Sequence, residues 1–480
     1  MKAISPLVLL LAGASLCPAQ EENPFLNQTT AKKAPPADAG ESFLSLEEHI
    51  LAPADLVDGW MAAHPDEKDA AGLRAAAQGW IADGKATLDF TGLNSGIVGR
   101  EFATDSVLEQ IFPTEFETGN RENEWKFPTS FETHYVGYQI KGDAIRQKDE
   151  LELRAELRVM KMLPQQPWDK LAAETSLPGD IFTPRFRNFR VQQEAPAEER
   201  DSRGRIRPVR RDPQGVGFPA RMTHLALRAD ENLPEPVIKG AEVDLSESEA
   251  KPEPAADRPL RLIFFRNDPV EDAPASEAPL PEDYLLTMRL IQVDQRRLSD
   301  WLQKRDLGSV TKELNEALEG WNQNGGVEIL RTLTGAGRTG TTTMIEDARE
   351  IVYPTEYEPC RRTTSEDGKD SRLEFATATS FETRNAGGFI TSAIQPDPGG
   401  PLLRFEMERI IHSGFTVHHR VQRDGEWVAD ITMPRFSTNR WQTTLRLKRG
   451  DWMFVGSGAA FKENGEIDHD HTVLGFVKVE

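Results

Sequence analysis

Cysteine is scarce. Two in 480 residues exclude a scaffold built on disulfides. Cys17 falls in the N-terminal leader described below, which leaves Cys360 alone in the mature chain. No neighbour of Cys360 would activate a thiolate, and it reads as a small, half-buried turn residue. Long apolar runs are also missing. Beyond the N-terminus no stretch approaches the ~18 apolar residues of a membrane helix, although a membrane β-strand, whose signal is weak alternation, escapes that test. Basic residues are the minority: 57 Lys and Arg stand against 78 Asp and Glu, a formal charge of −21. A polyanion repels phosphate unless a local basic patch dominates, which argues against a nucleic-acid partner. The catalytic signatures G-x-S-x-G, H-E-x-x-H, C-x-x-C and the Walker loop are all lacking.

What is present begins with MKAISPLVLLLAGASLCPAQ. Lys2, the apolar stretch Leu7 to Ala12 and the small residues before Ala19 form a secretory signal over 1–19. A lipoprotein signal wants a small residue before its cysteine, and Leu16 stands there instead. Apolar residues make up 38% and charged residues 28%, so part of the length is linker. Residues 20–40 are Pro/Ala-rich and polar. Within 195–220 runs the basic string RGRIRPVRR, read as a solvated loop, and 229–259 is acidic and Pro-rich. Residues 268–281 (DPVEDAPASEAPLP) read as a tether.

The chain repeats itself. FPTEFE at 112–117 returns as YPTEYE at 353–358, 241 positions on. At that offset residues 41–117 align with 282–358 without a gap, with 17 identities in 77 positions. Trp60 falls on Trp301, Leu73 on Leu314, Trp80 on Trp321 and Gly84 on Gly325. A nine-residue insertion then shifts the offset to 250, where TSFET at 129–133 matches TSFET at 379–383. DIFTPRFRNFRVQ (180–192) also lies on DITMPRFSTNRWQ (430–442). This is an internal duplication.

Each copy reads alike. A strand (LLTMRLIQV, 285–293) leads into a helical segment holding Trp301, Leu314 and Trp321, stopped at Asn-Gly-Gly. VEILRTLT, a Gly-rich turn and TTTMIEDAREIVYP follow as strands. LELRAELRVM (151–160) alternates with period two, a strand with one wet face, and PLLRFEMERI (401–410) is its counterpart. Copy two closes with a hairpin turning at Lys-Arg-Gly-Asp and the strand TVLGFVKV; copy one ends in LRLIFF (260–265).

Several constellations invite chemistry and are better read as structure. GAGRTG (335–340) fits G-x-G-x-x-G, but a dinucleotide fingerprint needs a helix next, and TTTMI prefers strand; a hairpin turn is expected. His418-His419 point to opposite faces of a strand, which hinders joint metal ligation. Asp468-His469-Asp470-His471 follows the turn signal NGE and is expected in an exposed loop. Glu115 and Glu117, repeated as Glu356 and Glu358, suit strand ends beside proline and aromatics. Residues shared by the copies are mostly Trp, Gly, Pro, Phe and Leu, with Arg185 and Arg435 following Pro184 and Pro434. No catalytic, cofactor-binding or metal-binding residue is assigned.

The motif order resembles the secretin β-domain of the outer-membrane channels of type II and type III secretion and type IV pili. VEILRTLTGAGRTGTTTMIEDAREIVYPTEY is similar to that domain's opening, and PRFSTNRWQTTLRLKRGDWMFVGS to its strand pair and Gly-centred turn. TVLGFVKV resembles the closing strand. The family's Val-Pro-x-Leu-Gly segment and its string of N-domains find no counterpart. The resemblance implies an α+β, β-rich fold of two tandem secretin-like domains with short helices, 41–267 and 282–480, joined by disordered linkers. It implies a non-enzymatic envelope protein, part of or accessory to a secretion or pilus system. The partners implied are other copies of itself or a true secretin, in the periplasm or at the outer membrane. No cofactor or small-molecule substrate is implied. A soluble periplasmic adaptor that has lost pore formation is the alternative.

Overall fold

The computed structural model describes residues 40–65, 70–118, 126–147, 150–167, 182–192, 198–200, 206–208, 223–228, 259–270, 282–358, 361–364, 371–423 and 426–480. The stretches read as a signal sequence and as a linker up to residue 39, most of the two insertions and residues 271–281 lie outside these residues. The described residues belong to one compact unit.

From the N-terminus come β1 (Ser42–Pro53), α1 (Ala54–Ala63), α2 (Ala71–Ala82), β2 (Thr87–Ile97), β3 (Glu101–Thr118), β4 (Lys126–Gln147), β5 (Glu150–Pro167) and β6 (Phe182–Gln192). A small ribbon β7 (Glu198–Arg200) and β8 (Ile206–Pro208) precedes β9 (Thr223–Arg228) and β10 (Pro259–Val270). The order then recurs in β11 (Asp283–Asp294), α3 (Gln295–Gln303), α4 (Leu307–Gln323), β12 (Val327–Arg338) and β13 (Thr342–Glu358). The ribbon β14 (Arg361–Thr364) and β15 (Ser371–Glu374) is followed by β16 (Thr377–Gln395), β17 (Leu402–Arg423), β18 (Glu426–Arg446), β19 (Met453–Phe461) and β20 (Ile467–Val479).

The strands make two eight-stranded sheets. The first runs β12-β11-β20-β19-β2-β1-β10-β9 and the second β13-β16-β17-β18-β3-β4-β5-β6. In each, four strands of the C-terminal half lie beside four of the N-terminal half in corresponding order. The first sheet is covered on both faces. Leu262 and Phe264 of β10 meet the helix layer, while Ile263 and Phe265 face the second sheet. That explains why LRLIFF is apolar without alternation. The second sheet has one wet face: Leu151, Leu153, Ala155, Leu157 and Val159 are buried, and the residues between them are half-exposed.

The helices break where capping chemistry allows. The expected single helical segment of the second half is two helices, because Asp306 caps a new one. Its side chain accepts from Gly308 N at 2.9 Å, as Asp294 accepts from Arg297 N at 2.6 Å for α3. Both helical layers stop at a left-handed glycine, Gly84 (φ 71°) and Gly325 (φ 68°). No described helix is long and apolar enough to cross a membrane.

The echo motif is a β-bulge in both halves. Pro113 pairs with Phe131 and Glu115 with Ser130, leaving Thr114 unpaired; Pro354 pairs with Phe381 and Glu356 with Ser380, leaving Thr355 unpaired. Proline donates nothing to a ladder, so a bulge is where a long strand tolerates it.

Other expectations change. The turns at GAGRTG and Lys-Arg-Gly-Asp do not close hairpins: β12 and β13 lie in different sheets, as do β18 and β19. Each turn carries the chain from one layer to the other, since a strand buried in one sheet can hand its partner to the next layer. Asp468–His471 lie inside β20 rather than in a loop, because the turn is complete at Gly465. Strand β10 runs three residues into the stretch read as tether, held by Ser42↔Val270 on β1, and begins at Pro259. Within 195–220, β7 and β8 form their two-stranded ribbon.

Candidate functional site

The two halves meet along an edge in both sheets. In the second sheet β18 pairs with β3 from Phe436↔Glu109 to Gln442↔Ala103. In the first, β19 meets β2 at Gly456↔Asn94. Side chains bind the seam. The Ser106 hydroxyl accepts from Asn439 Nδ2 at 3.2 Å and from Ala459 N at 3.0 Å, joining three strands of two sheets. Leu93 N donates to Ser457 Oγ at 2.7 Å, and Thr438 Oγ1 donates to Glu109 at 2.8 Å. Arg384 also pairs with Glu109. Trp441, 1% exposed, lies across the backbone of β19: a Cβ on Gly456 would stand 2.7 Å from its ring, and one on Gly458 3.0 Å. Those glycines are required by close approach.

The helix layer repeats the seam. Arg74 of α2 pairs with Glu48 of β1, and Ser299 of α3 donates to the same carboxylate. Gln78 Nε2 donates to Ser299 Oγ at 2.6 Å. All four side chains are buried, and the Glu48 charge is met by Arg74 from its own half and by Ser299 from the other.

Beside it lies a second buried ionic cluster. Asp89 accepts from Arg261 and from Tyr138 Oη at 2.6 Å, with Lys161 Nζ at 3.5 Å and His469 Nδ1 at 3.5 Å. Burial alone would raise the Asp89 pKa, but Arg261, Lys161 and the Tyr138 hydroxyl overcome it and hold the carboxyl well below the usual range. His49 is lowered, burial outweighing the Glu47 carboxylate. Its Nδ1 accepts from Arg261 at 3.2 Å while Nε2–H faces Glu47, and the neutral tautomer satisfies both. Asp105 in β3 is raised to about 6 by burial, which Arg440 only partly offsets.

The positions singled out from sequence are spread over this frame. GAGRTG ends β12 and turns at Gly340, whose φ of 81° matches 77° at Gly99, its counterpart in the first half. His418 and His419 lie near a bulge in β17, and burial lowers His418 to about 4. His469 Nδ1 reaches Asp89 O at 2.8 Å, so the Asp-His-Asp-His string joins the halves; Asp468 Oδ2 meets His471 Nδ1 at 2.8 Å. Glu115, Glu117, Glu356 and Glu358 sit in β3 and β13 beside the bulges. Arg435 donates to Asn464 O at 2.6 Å. Arg185 lies in β6, and Cys360 lies outside the described residues. Ser106, Asn439, Ser457 and the Glu48–Arg74 pair were not singled out from sequence. Their only signal was position: all fall inside the aligned stretches, or in the strand VGSG after the turn.

Among the described residues the same edge recurs nearly unpaired. Counterparts of seam residues are exposed at the outer edge of the second half. Leu88 is 6% exposed and its counterpart Ile329 56%; Ile111 is 5% exposed and Val352 62%. Met344, the counterpart of Ala103, is 76% exposed. Among the described residues β12 pairs only with β11, and the outer edge of β13 carries one pairing, Glu356↔Ser130, at its far end.

No family model matches the chain, and no curated sequence matches it. Two solved structures are similar at a low level. The InvG secretin domain β-barrel of the Salmonella SPI-1 injectisome shares 6% identity at a TM-score of 0.20, over 54% of this chain and 88% of that one. The V. cholerae type IV competence pilus secretin PilQ shares 8% identity at a TM-score of 0.18, over 92% of this chain and 61% of that one. Overlaps this loose assign neither fold nor function.

Proposed function

We propose that the chain is a non-enzymatic, exported envelope protein built from two copies of one secretin-like unit. It assembles through its sheet edges as a component of, or accessory to, a protein-secretion or type IV pilus system, in the periplasm or at the outer membrane. The contrast in burial carries the reading: residues that seal the seam in the first half keep apolar counterparts at an open edge in the second. Open edges with apolar side chains are pairing sites. The order of motifs adds to it, from the strand before the glycine turn to the bulged Pro-Thr-Glu in both halves, and on to the Gly-Ser-Gly strand of the second half at the seam. The buried charges fit a wall better than a catalyst, because Glu48, Arg74, Asp89 and Arg261 are spent on joining strands and helices.

Cell fractionation tests it. The protein is expected in the envelope fraction, retained by outer membranes after a carbonate wash and sedimenting as a multimer. A strict monomer released by the wash overturns the proposal.

A further inference from the structure

The seam inside one chain is the template for a contact between chains. Resting on the assembly reading above, we infer that the partner at the open edge is a second copy of this chain, bound head to tail, with β6 of one copy pairing antiparallel to β13 of the next. Strand β6 is the counterpart of β18 at an offset of 250, and β13 the counterpart of β3 at 241. Both are terminal strands of the second sheet, at opposite ends. Among the described residues, the strand left open in each half is the counterpart of the strand that the other half lends to the seam. A contact between different surfaces of identical subunits propagates, here with two four-strand units contributed by every chain.

The internal register transfers residue by residue. Phe436↔Glu109 becomes Phe186↔Glu350, and Thr438↔Val107 becomes Asn188↔Ala348. Arg440↔Asp105 becomes Arg190↔Glu346, which keeps base opposite acid. The Met344–Glu350 stretch used here is clear of the Glu356↔Ser130 bridge. The helix layer offers a matching pair, an acid opposite a base where the seam has a hydroxyl opposite an acid. At the internal seam Ser299 serves Glu48; at the open edge the corresponding positions are Asp58 of the incoming copy and Arg289. Arg289 lies over the Trp452 ring at 4.5 Å, and its buried Nε has no hydrogen-bond partner among the described residues. Asp58 is exposed on α1. An acid arriving there would complete the Arg289 site as Glu48 completes that of Arg74.

Paired cysteines in the full chain test the register, in a background with Cys17 and Cys360 replaced by serine. Oxidising a mixture of Asn188→Cys and Ala348→Cys chains should give a cross-linked dimer, and neither variant should cross-link alone. The double variant should form a ladder beyond the dimer. Cross-linking of Asn188→Cys with itself overturns the head-to-tail polarity. Equal cross-linking to Ile351→Cys overturns the register, and no cross-link overturns the contact. Charge reversal reads the same contact without cysteines. Arg190→Glu or Glu346→Arg should each reduce the multimer at least tenfold in sedimentation, and the double reversal should restore it; failure of rescue counts against the pairing. A chain held by outer membranes yet not linked at 188 and 348 loses this contact and keeps the proposed function. A linked multimer absent from the envelope fraction keeps this contact and loses the proposed function.

Discussion

Asn439 on β18 and Ser106 on β3 stand 333 positions apart in the chain, and the amide donates to the hydroxyl at 3.2 Å with both groups buried. The hydroxyl also accepts from Ala459 N at 3.0 Å. Removing it by Ser106→Ala leaves two buried donors unanswered, at a cost of ~1–3 kcal/mol. Urea unfolding of the purified chain should show that loss as a lower midpoint with little change in slope. A neutral result would mean that the seam does not depend on this hydroxyl.

Gly458 passes beneath the Trp441 ring. A Cβ there would stand 2.6 Å from Ser106 Oγ and 3.0 Å from the ring. Gly458→Ala should therefore cost ~1–3 kcal/mol by overpacking, and Gly458→Val more. Thermal unfolding distinguishes the two, since a merely conformational glycine would not grade with side-chain size.

Asp105 titrates the wrong way for a surface acid. Burial raises its pKa from 3.8 to about 6. Its folded value lies above its unfolded value, so its cost is absent below pH ~4, grows through pH ~4–6 and is constant above. Asp105→Asn should stabilise the chain at pH 7.5 by ~1–3 kcal/mol and leave it unchanged near pH 4. Gln139 Nε2, now 3.1 Å from Asp105 Oδ1, can donate to the amide oxygen instead. Melting curves across that range are the check.

Asp89 is the opposite case. Its folded pKa lies below 3.8, so its contribution is present above that value and is lost as pH falls through the folded pKa. Asp89→Asn leaves Arg261 buried without its counter-charge and should cost ~3–5 kcal/mol at neutral pH. The penalty should shrink below pH ~4, where the carboxyl of the unfolded chain begins to take up a proton that the folded state still refuses. An equal penalty at pH 3 and pH 7 would show that the pair contributes shape rather than charge.

Much of the architecture was readable in local patterns. Leu151, Leu153, Ala155, Leu157 and Val159 alternate because one face of β5 is wet, and they are buried as a set. The pairing of positions 241 apart found the glycines that end both helical layers and the repeated Pro-Thr-Glu, which was read as a strand end and is a bulge. Layer assignment was not readable. A glycine turn between two strands looks the same whether they pair with each other or pass between sheets, because the turn residues answer only to local φ and ψ. The helix was read as continuous because Asp306 is a cap only once the chain direction changes there.

The sequence by itself determined the polarity, the β-rich composition, the repeated order of strands and helices, and which faces are apolar. Those properties depend on residues a few positions apart. The tertiary structure alone decided that the two halves share continuous sheets. It also placed Ser106 beneath Asn439, set Glu48 between Arg74 and Ser299, and left Ile329, Met344 and Val352 exposed at an edge. Those outcomes come from edges meeting hundreds of residues apart, where hydrogen-bond geometry and close packing select the partner and no local pattern records it.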